Sequence, residues 1–349
     1  MRLEPPSWWY QGRIPHAAWG LWPISAIYGA AVQRRFRTAS PYRSRLPVVC
    51  IGNFTLGGAG KTPVALKLAS LLSGRGRKPA FLTRGYGGWE RGPHMVDPAL
   101  DDAGRVGDEP LLLAAAAPVA VSRDRPAGAR LLESSAADVI VMDDGFQNPT
   151  IGKDFSLIVI DGGAGIGSGQ VFPLGPLRAP LAFQAAMASA VLILGRQGSS
   201  APLKRELLSA AGRSMDIFEA DILPEAADDM RGRPFLAFCG IGRPAKFFDT
   251  LERAGIEAVK TRSFPDHHPF TPQDAQSLIA EAKALGAGLL TTGKDLVRLK
   301  GKAGPLAELY RTARALPITI QFSADQEASL MEAILSRIEL RRREETSEA

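Results

Sequence analysis

The most specific chemical signal in this sequence is the run Thr55-Leu56-Gly57-Gly58-Ala59-Gly60-Lys61-Thr62. Its glycines let a backbone pass close to phosphate oxygens and turn N–H groups toward them at the positive end of a following helix. Lys61 would reach the β- and γ-phosphates of a nucleoside triphosphate, and the Thr62 hydroxyl would help hold Mg²⁺. Thr55, Gly57, Gly58, Ala59, Gly60, Lys61 and Thr62 are thus the candidate nucleotide-binding residues. The usual pattern opens on glycine, and here that position is Thr55. Further along, the apolar run Val139-Ile140-Val141-Met142 ends in Asp143-Asp144. A carboxylate at a strand end can orient Mg²⁺, directly or through water. Such an ending is also a commonplace solvated strand terminus, and it gains meaning only from the loop upstream. Thr62, Asp143 and Asp144 are the candidate metal residues.

Those residues need a strand before the loop, a helix after it and a sheet to carry the second strand. The sequence supplies them in alternation from Leu46 onward, the pattern of a parallel sheet covered by helices. Strands are predicted at Val48–Ile51, Pro79–Leu82, Val139–Met142, Leu157–Ile160 and Val191–Leu194. Helices are predicted at Pro63–Leu72, Glu109–Ala117, Pro126–Ser135 and Leu203–Ala211. The acidic stretch Asp221–Gly232 reads as a linker. Beyond it the alternation restarts with strands Phe235–Cys239, Gly288–Thr291 and Ile318–Phe322, and helices Ala245–Ala254, Pro272–Leu285 and Asp325–Leu340. The charged end from Arg341 reads as a frayed helix and tail. The expected architecture is α/β: a P-loop NTPase-like, mostly parallel sheet with helices on both faces, plus a second, smaller α/β domain and an N-terminal membrane-interacting helix. Its boundaries are 1–45 for the arm, 46–225 for the nucleotide-binding domain and 226–349 for the smaller domain.

The net charge of +6 belongs to the arm. Residues 1–45 hold Arg2, Arg13, Arg34, Arg35, Arg37, Arg43 and Arg45 against one acid, Glu4, so the rest of the chain is balanced. That argues against a nucleic-acid partner, which would need a basic face on the folded body. All but one of the five tryptophans lie in the arm, in Trp8-Trp9-Tyr10 and at Trp19 and Trp22. Tryptophan favours the headgroup layer of a membrane, and arginine favours an anionic cytoplasmic leaflet. The stretch from Ile14 to Gln33, with only His16 titratable, is short for a bilayer span and is interrupted by Gly20 and Pro23. An interfacial helix is therefore the preferred reading, beside a core-packing helix with a solvated basic end or a single spanning helix. Cys50 and Cys239 sit in apolar strands and suit buried thiols in a reducing compartment, with no metal-ligand spacing.

A phosphate loop with a Walker B strand leaves switch GTPases, partition-type ATPases and small-molecule kinases open. Thr292-Gly293-Lys294-Asp295 lacks the spacing of a guanine-reading motif, which favours ATP. More specific strings accompany it: Gly52-Asn53 ahead of the loop, Pro63 behind it, Thr83-Arg84-Gly85-Tyr86-Gly87, Val106-Gly107-Asp108-Glu109-Pro110, Asp143-Asp144-Gly145-Phe146-Gln147, Pro176-Leu177-Arg178 and Phe264-Pro265-Asp266-His267-His268. In these the chain resembles the tetraacyldisaccharide 4′-kinases of Gram-negative bacteria, from about residue 8 to about residue 325. The resemblance implies transfer of the γ-phosphate of ATP, with Mg²⁺, to the 4′-hydroxyl of an acylated glucosamine disaccharide 1-phosphate. It further implies formation of lipid IVA at the cytoplasmic face of the inner membrane, with donor and acceptor meeting in a cleft between two α/β domains. No protein partner is expected.

The resemblance also implies a catalytic pair, Asp108 and His267. A sugar hydroxyl ionises too weakly near neutrality and needs a positioned base. The carboxylate would orient the imidazole and stabilise its protonated form. Without the resemblance, Asp108 could equally cap a helix and His267 sit in a surface loop. Asn53, Glu109, Arg123, Gln147, Arg178, Asp266 and Lys294 are further candidates for substrate contact. Two positions depart from the family pattern: Asn148 stands where histidine is usual, and Ala179 where an acid is usual. The competing reading is a membrane-peripheral switch NTPase that acts on a protein partner.

Overall fold

The computed structural model describes residues 5–10, 12–195, 200–225 and 228–348. Arg2 and Glu4 of the arm, Ala226 and Ala227 of the expected linker, and Ala349 lie outside the described residues. The chain forms two compact units: residues 1–82, 132–221 and 321–349 make the first, and residues 83–131 and 222–320 the second.

In the first unit the strands run in the order Asp216–Pro224, Ala190–Leu194, Phe155–Asp161, Val48–Gly52, Val139–Asp143 and Pro79–Thr83, every neighbouring pair parallel. The central strands are buried at every position, as expected of apolar runs covered by helices on both faces. The strand Val48–Gly52 lies at the centre, and the helix Lys61–Ser73 follows its loop. Chain order and spatial order thus bring the carboxyl ends of Val48–Gly52 and Val139–Asp143 side by side, with Ile51 in register with Asp143.

The second unit holds a four-stranded parallel sheet in the order Ala258–Ser263, Phe235–Cys239, Gly288–Thr292 and Ala313–Leu316. Period-two alternation divides its central strand. Phe235, Ala237 and Cys239 pack with Phe247 and Leu251 of the helix Pro244–Arg253. Leu236 and Phe238 pack with Ala275, Leu278 and Ala282 of the helix Pro272–Ala284.

Three expectations change. The division at residue 225 is replaced by an exchange of segments. Val106, Leu111 and Val121 form one apolar cluster with Val297, so residues 83–131 fold with the C-terminal half. The expected linker begins inside a strand, Asp216–Pro224, whose half-polar alternation suits a sheet position that is only partly covered. The expected fraying tail is helix from Ala324 through Glu348. Arg341 there is 5% exposed and holds Asp154 at 2.7 Å. Shorter strands and helices that the sequence reading passed over include Ala258–Ser263, Ala313–Leu316, Gly293–Leu299 and Pro305–Thr312.

The arm comprises two short 3-10 turns, Ser7–Trp9 and His16–Leu21, and the helix Trp22–Thr38. Trp9 is buried, which corrects the view of Trp8-Trp9-Tyr10 as a membrane-facing cluster: the Trp8 and Trp9 indole N–H groups donate to the Leu174 and Pro173 carbonyls. The helix buries Ser25 and Gly29, while Trp19, Trp22, Ile24 and Ile27 stand exposed. Among the described residues no helix is long and apolar enough to cross a membrane.

Candidate functional site

The phosphate loop leaves the strand at Gly52, where a Cβ would collide with Phe146, so the loop and the Asp143-Asp144-Gly145-Phe146-Gln147 segment pack against each other. Asn53 is fully buried. Its amide donates to the Thr55 carbonyl at 2.7 Å and the Gly57 carbonyl at 3.3 Å. Asn53 thus braces the loop from within rather than lining its surface. Gly60 caps the helix in the left-handed region at φ +86°, a conformation that glycine adopts without the steric cost of a Cβ. Lys61 and Thr62 then occupy the first turn.

Asp143 and Asp144 have different surroundings. Asp143 is 1% exposed, and its carboxylate accepts from the Thr62 hydroxyl at 3.3 Å. Asp144 adopts φ +50°, and its Oδ1 lies 3.5 Å from Lys61 Nζ and 3.3 Å from Arg178 Nη1. Arg178 also donates to the Thr55 carbonyl at 3.1 Å and to Gln147 Oε1 at 3.2 Å, while Gln147 Nε2 donates to the Asn53 carbonyl at 2.7 Å. Lys61, Asp144, Arg178, Gln147 and Asn53 are one polar network around Thr55 to Gly60. Ala179 is buried, and its carbonyl accepts from Gln184. Asn148 caps its own turn by accepting from the Thr150 N–H.

The hard oxygen donors of Thr62 and Asp143 fit Mg²⁺, which takes one or two protein oxygens and completes its shell with phosphate and water. Asp144, facing two cations, is less suited to that role. Among the described residues no cluster of three or more His, Cys, Asp and Glu side chains forms a dedicated metal cage.

Asp108 and His267 meet in the second unit. Asp108 opens the helix Asp108–Leu113 and is 3% exposed; its Oδ1 accepts from the Glu109 N–H at 2.9 Å. Its Oδ2 lies 3.1 Å from His267 Nδ1. Asp108 thus takes the first helical position behind the N-cap Gly107 and supplies no side-chain cap, so the helix-cap alternative is not realised, and its second oxygen faces the imidazole. Burial opposes ionisation of Asp108, but the His267 hydrogen bond and the charges of Arg298 and Lys294 outweigh it and hold the carboxyl well below the usual range. His267 adopts φ +55°, and the edge of Tyr86 packs on its ring. Among the described residues only Asp144 and His267 have positive φ without being glycine. Backbone strain of this kind, typically about 1–3 kcal/mol, concentrates at functional sites.

The remaining predicted residues divide. Lys294 Nζ lies 2.5 Å from Glu109 Oε1, one residue from the pair. Asp266 is about half exposed, 3.8 Å from His267 Nε2. Arg123 stands exposed after the strand Val119–Val121, its backbone N–H bonded to the Arg91 carbonyl.

One residue escaped the sequence reading. Arg298, 9% exposed, donates to Asp108 Oδ2 through Nε at 2.8 Å and Nη2 at 2.5 Å. Its Nη1 donates to the Gly240 carbonyl at 2.8 Å and Asp295 Oδ1 at 2.6 Å. Burial raises the Asp295 carboxyl despite Arg298 beside it. The only sequence signal was the acid–base spacing from Asp295 to Arg298 at i, i+3 on a helix capped by Thr292.

The chain is similar to known proteins over most of its length. The family model for LpxK, tetraacyldisaccharide-1-P 4′-kinase, matches residues 17–339. The tetraacyldisaccharide 4′-kinase of Methylobacterium radiotolerans is 51% identical over 85% of this chain and 90% of its own. That of Methylobacterium sp. strain 4-46 is 48% identical over 96% and 98%, and that of Bradyrhizobium sp. strain ORS 278 is 46% identical over 96% of each. The crystal structure of Aquifex aeolicus LpxK in complex with ATP covers 92% of this chain and 99% of its own, with a TM-score of 0.70 at 24% identity, a likeness of fold. By the family model and by these relatives, the chain belongs to the tetraacyldisaccharide 4′-kinase family.

Proposed function

We propose that this protein transfers the γ-phosphate of ATP to the 4′-hydroxyl of tetraacyldisaccharide 1-phosphate, giving lipid IVA for lipid A biosynthesis. The observation that carries this reading is the meeting of Asp108 and His267, 159 residues apart, at 3.1 Å in a chain that also holds a complete phosphate loop. A switch NTPase has no use for such a pair.

An ionised Asp108 accepts from His267 Nδ1–H and leaves Nε2 as a base. The acceptor O–H bond breaks, its proton passes to Nε2, the oxygen bonds to the γ-phosphorus and ADP departs. Asp108 stabilises the imidazolium that results. The glycine loop and Lys61 hold the triphosphate. Mg²⁺ held by Thr62 and Asp143 would neutralise charge on the β- and γ-phosphates. Asp144 orients Lys61 and Arg178. The exposed Trp19, Trp22, Ile24 and Ile27, followed by the exposed Arg34, Arg35 and Arg37, support a peripheral seat of the arm on the cytoplasmic face of the inner membrane.

Acceptor dependence tests the reading. With the tetraacyl disaccharide 1-phosphate in detergent micelles, ATP consumption should rise well above basal and radiolabel from γ-³²P-ATP should enter lipid. Unchanged turnover with no labelled lipid would favour the switch NTPase instead. Asp108→Ala and His267→Ala should each lower turnover by roughly 10²–10⁴-fold, the range of a lost general base.

A further inference from the structure

We propose that Arg298 is a positioning residue for the reaction: its guanidinium fixes the Asp108 carboxylate and the His267 backbone in one frame, so that His267 keeps its proton on Nδ1 and presents Nε2 to the acceptor hydroxyl. This rests on the kinase reading above and deepens it.

The geometry ties both partners to one planar group. Nε and Nη2 converge on Asp108 Oδ2, the same oxygen that faces His267 Nδ1. Nη1 reaches the Gly240 carbonyl, which also accepts the His267 backbone N–H at 3.0 Å. Asp295 closes the circuit: its Oδ1 accepts from Arg298 Nη1 and from the Gly240 N–H at 3.0 Å, and its Oδ2 lies 2.6 Å from the Thr292 hydroxyl. A shift of the guanidinium would therefore move the carboxylate and release the turn that holds His267 at positive φ. Lysine offers a point charge with no such fork and could keep one of these contacts but not both.

The tautomer follows from charge. Arg298 Nη2 lies 3.4 Å from His267 Nδ1 and could donate to it, which would put the ring proton on Nε2 and abolish the base. An ionised Asp108 prevents this, because two lone pairs would otherwise face each other across 3.1 Å. Arg298, with two nitrogens on Asp108 Oδ2, adds its charge to the His267 hydrogen bond in keeping that carboxyl ionised and so favours the Nδ1–H form. The charged and titratable groups around the pair are Arg298, Lys294, Asp295, Glu109 and Asp266, with Tyr86 on the imidazole. Arg298 is the cation that touches Asp108 directly. With Arg298 gone, the burial that opposes ionisation of Asp108 is less fully offset, so the carboxyl takes up a proton more readily and the acid limb of activity moves to higher pH.

A purely structural arginine would lower activity without moving that limb. Full-length Arg298→Met and Arg298→Lys should be compared with wild type by kcat/KM against pH with lipid acceptor, together with the KM for ATP and thermal melting. Arg298→Met should lose roughly 10²-fold in kcat, the scale on which misplaced catalytic groups act, keep its KM for ATP within about twofold, and shift the acid limb to higher pH. Arg298→Lys should restore the limb and only part of kcat. Wild-type turnover in Arg298→Met, or a loss with an unmoved limb that lysine does not improve, overturns the proposal. Histidine ¹⁵N NMR of the wild-type protein tests it independently of variant folding: an Nε2–H tautomer at His267 also overturns it. Failure of the kinase reading shows up separately, as wild-type ATP turnover that the lipid acceptor does not raise, with no radiolabel entering lipid.

Discussion

The Tyr10 hydroxyl donates a hydrogen bond to the Leu56 carbonyl of the phosphate loop at 3.1 Å. The arm's first residues are thus part of the donor half: Trp8 and Trp9 anchor to Leu174 and Pro173, and the Ser168 N–H returns a bond to the Trp9 carbonyl at 2.7 Å. The Leu56 N–H is bonded in turn to the Pro176 carbonyl at 2.8 Å, so Tyr10 acts by fixing loop shape. One neutral hydrogen bond contributes about 0.5–1.5 kcal/mol. Tyr10→Phe should therefore raise the KM for ATP by roughly 2–10-fold and leave kcat near wild type. Steady-state kinetics with saturating acceptor checks this, and an unchanged KM would show that the loop holds its shape without the arm.

Lys61 and Asp143 should separate by readout. Lys61 lies beside Asp144 and is aimed by it, so Lys61→Met should lower kcat by roughly 10²–10³-fold, as loss of a charge-stabilising group does. Asp143→Asn keeps the shape but weakens an oxygen donor next to Thr62. Its defect should shrink as Mg²⁺ is raised, whereas that of Lys61→Met should not. Titrating Mg²⁺ at fixed ATP distinguishes them, and a Mg²⁺-insensitive Asp143→Asn would remove that residue from metal binding.

The contrast between Lys61 and Arg298 shows what the sequence could disclose. The phosphate loop is contiguous, and its chemistry follows from residue types in a row between a buried strand and a helix. Asp108, His267 and Arg298 converge from separate elements, the first two 159 positions apart and Asp108 and Arg298 190 positions apart. No local pattern announces such a meeting; a family resemblance supplied two of the three. Arg298 sits near the end of Gly293–Leu299, a seven-residue helix too short to show a hydrophobic period, which the sequence reading passed over. The buried strands were legible because their apolar runs admit one environment. Ala258–Ser263, largely exposed at a sheet edge, has no such run. The exchange of segment 83–131 was illegible because it depends on Val297 completing a cluster begun at Val106.

The exposed face of the arm predicts a change in location without a change in folding. Trp22, Ile24 and Ile27 are 55%, 55% and 71% exposed, so polar replacements there should alter stability by less than about 0.5 kcal/mol. Trp22→Ser, Ile24→Ser and Ile27→Ser together should sharply reduce co-sedimentation with vesicles containing anionic lipid, while melting stays at the wild-type temperature. Full sedimentation of the triple variant would mean that this face does not seat the protein on lipid.

Arg341 carries the last prediction because it lies in the stretch whose charge suggested a loose tail. Its guanidinium bonds Asp154 and the Ser44 carbonyl, and Asp154 in turn accepts from the Val48 N–H at 2.7 Å, at the base of the strand that leads into the phosphate loop. Removing one member of a buried pair typically costs about 3–5 kcal/mol, because the other charge stays behind. Asp154 retains the Val48 N–H, so Arg341→Met should fall near the lower figure, about 3 kcal/mol. In a unit of this size that lowers Tm by roughly 6–12 °C. Arg343, exposed two residues on, provides the control: Arg343→Met should stay within about 0.5 kcal/mol of wild type. Equal melting temperatures for the two variants would mean that the end of the helix contributes no more than a solvated tail, whereas a selective loss in Arg341→Met would make the C-terminal helix a clamp on the phosphate-loop strand.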